Sequence, residues 1–176
     1  MDWTADDEAI GGATDALATP DALVRWGRRL EVLGPRAAAA DEAELAAAHA
    51  LRGALHAVFS AVARGDDPSR DAFDLLARTH AEAASRGHLV SGGGAFTLDW
   101  PAGEQARVRF AVAVDAVSLL GDPSRLGRVH RCPGRNCGWL FLDTSGRRRW
   151  CSMSTCGSRE KMRRMYDRRR ARGSRG

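Results

Sequence analysis

Cys132-Pro133-Gly134-Arg135-Asn136-Cys137 and, after thirteen intervening residues, Cys151-Ser152-Met153-Ser154-Thr155-Cys156 contain all four cysteines of the chain. Two Cys-x4-Cys loops separated by a longer stretch let each loop present two thiolates from a compact turn, which is the donor set of one tetrahedral zinc site. The same spacings could close two disulfides. The first residues, Met1-Asp2-Trp3-Thr4-Ala5-Asp6-Asp7-Glu8, are acidic where a secretory signal is basic and then apolar. The expected compartment is therefore the cytoplasm, where thiols stay reduced. One structural zinc ion on Cys132, Cys137, Cys151 and Cys156 is the expected centre, ahead of an iron–sulfur cluster. His130, two residues before Cys132, is the one substitute ligand in reach.

Around the cysteines the local pattern predicts a small module. The proline and glycine of the first loop make a tight knuckle, and Trp139-Leu140-Phe141-Leu142 reads as a strand. Asp143-Thr144-Ser145-Gly146 reads as its turn, with Arg147 to Trp150 as the return strand delivering Cys151. From about Thr155 the period becomes helical, with Met162, Met165 and Tyr166 on one stripe that is expected to pack on the module. A segment this short has a marginal core and should depend on its metal to fold.

Charge divides the chain at the same place. Residues 128–176 hold 15 Lys and Arg against 3 Asp and Glu, net +12, whereas residues 1–127 hold 12 against 19, net −7. An acidic body with a strongly basic tail calls for a polyanionic partner at one end only, and nucleic acid is the usual one. Four thiolates on Zn²⁺ carry net −2, so Arg147, Arg148, Arg149 and Arg159 can serve as local charge balance. That account does not extend to Arg163, Arg164, Arg168, Arg169, Arg170, Arg172 and Arg175, which run beyond the last cysteine along the helix. Together with Lys161, the arginines at 147–149, 159, 163, 164 and 168 are the candidate nucleic-acid contacts.

The body, 1–127, reads as helical with one hairpin. Thr19-Pro20-Asp21 is an N-cap, a first-turn proline and a first-turn acid, followed by Leu23, Trp26 and Leu30 before Gly34-Pro35. A second helix opens at Asp41, with Glu44 as its capping-box partner, and buries Leu45, Leu51, Leu55, Val58, Phe59 and Val62. Asp67-Pro68 opens a third that closes at Gly87. His88-Leu89-Val90 and Phe96-Thr97-Leu98-Asp99-Trp100 flank a glycine turn, and a fourth helix runs from about Glu104 to Leu120. Residues 121–131 read as a short polar connector that permits a hinge.

Other functional classes find little support. No apolar run approaches the roughly 20 residues of a membrane span. Gly92-Gly93-Gly94 leads into a strand, not the helix start that a phosphate loop requires. His49, His56, His80 and His88 lack the spacing of a metal pair, and no nucleophile has a base beside it, so an enzyme is not expected.

The run Cys132-x4-Cys137-Gly138-Trp139-Leu140-Phe141-Leu142-Asp143-Thr144-Ser145, then Arg149-Trp150-Cys151-Ser152-Met153, then Cys156-Gly157-Ser158-Arg159-x-Lys161, resembles the CGNR zinc finger. That finger usually sits C-terminal to an ABATE domain in bacterial proteins described as stress-induced transcription regulators. Ser158 stands where the family has its namesake asparagine, and the apolar strand leading to Asn-Thr that opens an ABATE domain is missing. The resemblance implies an ABATE-like helical domain at 1–127 and a CGNR-type finger at 128–176. The fold class is mainly α, an α+β chain whose helical domain with a small hairpin precedes a treble-clef-like, four-cysteine finger ending in a basic helix. The resemblance also implies a DNA-binding regulator, with double-stranded DNA the expected partner and a body that dimerises or takes a small-molecule ligand. The alternatives are an RNA-binding or ribosome-associated protein, or a ligand-binding or enzymatic body with a purely structural finger.

Overall fold

The computed structural model describes residues 15–35, 37–92 and 94–173 of the 176, with no side-chain detail at 92 or 171–173. The acidic N-terminal run, Gly93 and Arg175 lie outside the described residues, as does the side chain of Arg172. The described chain forms two compact units, one reaching to Gly127 and one starting at Arg128.

In the first unit, Thr19 caps α1, Pro20–Arg29, accepting from the amide of Ala22 at 3.2 Å. The helix ends before the expected Gly34-Pro35, because Glu31 takes a left-handed φ of 59° and the amides of Val32 and Leu33 turn back to the Gly27 carbonyl. Asp41 caps α2, Glu42–Val62, through the Glu44 amide at 2.8 Å. By length and mean hydropathy, 1.3, this helix is apolar enough to cross a membrane, which the sequence reading did not anticipate. Half of it is buried inside the unit, where Leu51, Leu55, Val58 and Phe59 form core. Helix α3, Arg70–Arg86, starts after Ser69, not at Asp67-Pro68.

Strands β1, His88–Gly92, and β2, Ala95–Asp99, form the expected antiparallel hairpin, with Leu89 opposite Leu98 and Ser91 opposite Phe96. Trp100 leaves the hairpin into the core, donating its indole N–H to the Ala83 carbonyl at 2.9 Å and packing on Phe110. Helix α4, Arg107–Leu120, packs along α3 and α2.

The capping-box role expected of the Glu44 side chain is not observed. Its carboxylate is 7% exposed and takes a bidentate contact from Arg109 of α4 at 3.0 and 3.1 Å. Burial pushes the Glu44 carboxyl above its usual range against the pull of Arg109. Arg109 also meets Glu82 at 3.3 Å, and Glu82 with Glu104 engages Arg86. The ladder ties α2, α3 and α4 together, and both guanidiniums lie over the Phe110 ring, at 5.0 and 5.4 Å.

Residues 121–131 are mostly built into regular elements and are not the expected open connector. Asp122 caps a short helix α5, Pro123–Leu126, which packs on α4, and Val129–Arg131 is strand β3 of the second unit. Only Gly127 and Arg128 fall between these elements.

Candidate metal centre and basic face

The second unit is built outward from its cysteines. Strand β4, Leu140–Leu142, pairs antiparallel with β3, placing Val129 opposite Leu142 and Arg131 opposite Leu140. The hairpin therefore closes through the first cysteine loop. The expected return strand, Arg147–Trp150, is not one. The knuckle brings the chains on either side of it together, the Cys132 amide donating to the Trp139 carbonyl at 2.8 Å, so the pairing edge of β4 goes to β3. The Arg147–Trp150 segment is held by side chains instead. Buried Asp143 accepts from the Ser145 amide and hydroxyl at 3.0 and 2.9 Å and from the Arg148 amide at 3.1 Å. Arg148 donates to the carbonyls of Trp150 and Cys151, with its guanidinium 4.9 Å from the Phe141 ring centre.

In the first loop, Asn136 takes a left-handed φ of 56°, tolerable for asparagine, and the Cys137 amide returns to the Gly134 carbonyl at 3.0 Å. Gly134 has no room for a side chain, since a Cβ there would lie 2.9 Å from Cys156 Sγ and 3.3 Å from Cys137 Cβ. The second pair of cysteines is set by a single π-helical turn, Met153–Gly157, which carries Cys156 and leads directly into α6, Ser158–Gly173. Ser158 takes helical φ/ψ, and its hydroxyl donates to the Met153 carbonyl at 2.9 Å. It ties the π turn to the helix; it does not cap α6 as an N-terminal serine would.

The four Sγ atoms come together within 4.8 Å of one another. The Cys137–Cys151 and Cys151–Cys156 sulfur separations are 3.8 and 3.6 Å. A disulfide would need about 2.05 Å. A tetrahedron of thiolates at about 2.3 Å from zinc has edges of about 3.8 Å, so the cluster fits one such ion and not two bridges. Phe141, Trp139 and Trp150 pack around it, and the Cys151 amide points at Cys132 Sγ at 3.5 Å. Burial pushes the Cys137 thiol up to about 11 and Cys151 higher still, so as bare thiols both would hold their protons at neutral pH. A divalent cation at the centre reverses that preference. His130 lies on β3 against Phe141, ring centres 5.7 Å apart, and is not part of the cluster.

The basic candidates fall into three groups. Arg148 is committed to the fold of the module, as above. Arg163 and Arg164 converge on Glu160, Arg163 through two contacts at 2.9 and 2.7 Å and Arg164 through one at 2.9 Å, and Asp167 lies 3.7 Å from Arg163. The hydrogen bonds from these two arginines hold the Glu160 carboxyl down at about 2. Arg168 donates to the Arg164 carbonyl. The side chains of Arg147, Arg149, Arg159 and Lys161 are exposed and make no hydrogen bond or ion pair among the described residues. Met162 and Tyr166 do not pack on the module: they are 47% and 57% exposed, and only Met165 of the expected stripe is half-buried. The aromatic residues packed around the cluster are Phe141, Trp139 and Trp150, and neither Met162 nor Tyr166 joins them.

The geometry is that of a helical body joined to a four-cysteine zinc finger of treble-clef-like order: knuckle, strand, then a helix starting at the last cysteine. The chain belongs to the ABATE family, whose model, described as "Putative stress-induced transcription regulator", matches residues 4–123, and the CGNR zinc finger model matches residues 128–169. None of the curated proteins matches it. Family and cysteine cluster together assign the chain one structural zinc ion and a place among regulator-like, not enzymatic, families.

Proposed function

We propose that this protein is a DNA-binding transcriptional regulator, its finger at 128–176 contacting duplex DNA and its body at 1–127 dimerising or sensing a ligand. Cys132, Cys137, Cys151 and Cys156 are the four zinc ligands, with no coordination position left for water, so the ion is structural. The observation that carries the reading is the charge of the finger. It bears 15 basic against 3 acidic residues, and Arg147, Arg149, Arg159 and Lys161 project from it unpaired among the described residues. Duplex phosphates are the natural counter-charge for such a surface. Arg163, Arg164 and Arg168 join them on α6, the first two in exchange for their contacts with Glu160. Arg148 acts by fixing the loop that carries Arg147 and Arg149.

The test is binding of the zinc-loaded full chain to duplex DNA and to single-stranded RNA across a salt series. Duplex binding with a steep salt slope is expected, and replacing Arg163 and Arg164 by alanine should make that slope shallower by about two units. An unchanged slope with zinc retained would remove these two arginines from the interface. Preference for the single strand would replace DNA by RNA as the partner.

A further inference from the structure

Phosphate contact needs only cations, yet one face of α6 is something else. Met162 and Tyr166 lie one turn apart on it. With Ser154, Thr155, Ser158, Arg159 and Arg163 they line an open groove of about 630 Å³. The two acids of α6, Glu160 and Asp167, stand seven residues apart and so share one line of the helix, away from Met162 and Tyr166. The groove face therefore presents apolar side chains, hydroxyls and the unpaired guanidinium of Arg159 with no carboxylate in its lining. Glu160 and Asp167 lie toward the other side, and Arg163, which pairs with both, stands at the edge of the groove.

Building on the DNA-binding reading, we infer that this groove face of α6 is the surface that reads base edges, with Met162 and Tyr166 as its specificity-determining contacts. Charge orients the helix. A polyanion is repelled by the Glu160–Asp167 line and drawn to the face that has none. Composition says what meets it: base edges in the major groove offer thymine methyl groups beside hydrogen-bond donors and acceptors. An apolar pair flanked by the Thr155 hydroxyl and the Arg159 guanidinium matches that mixture, whereas a purely phosphate-facing surface would leave Met162 and Tyr166 against water for no gain. Arg168, on the opposite side of α6, then touches only the backbone of the duplex.

The experiment starts from selection of a preferred duplex out of a random library by the zinc-loaded full chain. Binding of that duplex and of a scrambled duplex of the same composition is then measured over a salt series for the wild type, Met162→Ala/Tyr166→Ala and Arg168→Ala. Both variants alter exposed residues, and zinc content with far-ultraviolet circular dichroism checks that the fold is kept. The apolar double variant should lose roughly tenfold in discrimination between the two duplexes, with scrambled-duplex affinity and salt slope unchanged. Arg168→Ala should weaken both duplexes alike. Full discrimination in the double variant, or an equal loss on both duplexes, would overturn the base-reading role while leaving DNA binding in place. A wild-type chain that binds duplex without preferring any sequence would overturn it as well. Failure of the wild type to bind any duplex would overturn the parent reading and this one together.

Discussion

Replacing Arg109 by methionine probes the ion ladder of the body in a way the structure makes quantitative. Arg109 is 13% exposed and Glu44 7% exposed, so the variant leaves a carboxylate in the interior with its only bidentate partner gone. Removing one partner of such a pair typically costs about 3–5 kcal/mol. The protein has an escape, which is to bury Glu44 protonated. Starting from an unfolded value of 4.5, that costs about 1.4 kcal/mol per pH unit, or about 3.4 kcal/mol at pH 7. The charge part of the loss therefore has a ceiling of about 3.4 kcal/mol at pH 7 and about 1.4 kcal/mol at pH 5.5. The sign follows from the two folded states: without Arg109 the carboxyl is raised further than in the wild type, so the variant's deficit grows as pH rises above the wild-type folded value, itself above 4.5, and shrinks as pH falls. Urea unfolding of the full chain, followed at 222 nm at pH 5.5 and 7, measures it. Adding Glu44→Gln should recover most of the deficit and flatten its pH dependence. A deficit equal at both pH values, or a double variant as unstable as the single, would refute the assignment of a charged, buried Glu44.

Three further outcomes concern the finger. Cys151→Ser should lose zinc by metal analysis and unfold residues 128–173 while the helices of the body persist; retention of both metal and fold would defeat the four-thiolate site. Gly134→Ala places a Cβ 2.9 Å from Cys156 Sγ, so competition with a chelator should show zinc held about tenfold or more weakly, and equal affinity would mean the loop gives way freely. Glu160→Gln releases Arg163 and Arg164, and duplex affinity at low salt should rise a few-fold with a steeper salt slope. Because the Glu160 carboxyl titrates at about 2, the wild type should show no change from this group between pH 5 and 8 in the same assay.

Much of this protein is written locally. Four thiols at two fixed spacings admit few arrangements, because a loop of five peptide bonds can bring its two sulfurs to one ion without help from the rest of the chain. The caps at Thr19 and Asp41, the hairpin from His88 to Asp99 and the stop at Gly121 are likewise short-range chemistry, readable within a few residues. Partner choice over longer range was not legible. Glu44 carries the spacing of a capping box, but α4 places Arg109 against it across 65 residues, and a charged, largely enclosed guanidinium outcompetes a neutral amide. Leu140–Leu142 can pair with either flanking segment on propensity alone. Closure of the first cysteine loop gives the edge to Val129–Arg131, while Asp143 and Arg148 hold Arg147–Trp150 off. The same limit applies to α6. Its sequence shows a basic helix with an apolar stripe, and periodicity treats every such stripe as core. Only the tertiary structure shows that Phe141, Trp139 and Trp150 take the places around the cysteines while Met162 and Tyr166 stay outside, because which apolar side chains meet a core is set by chain segments that periodicity along one helix does not see.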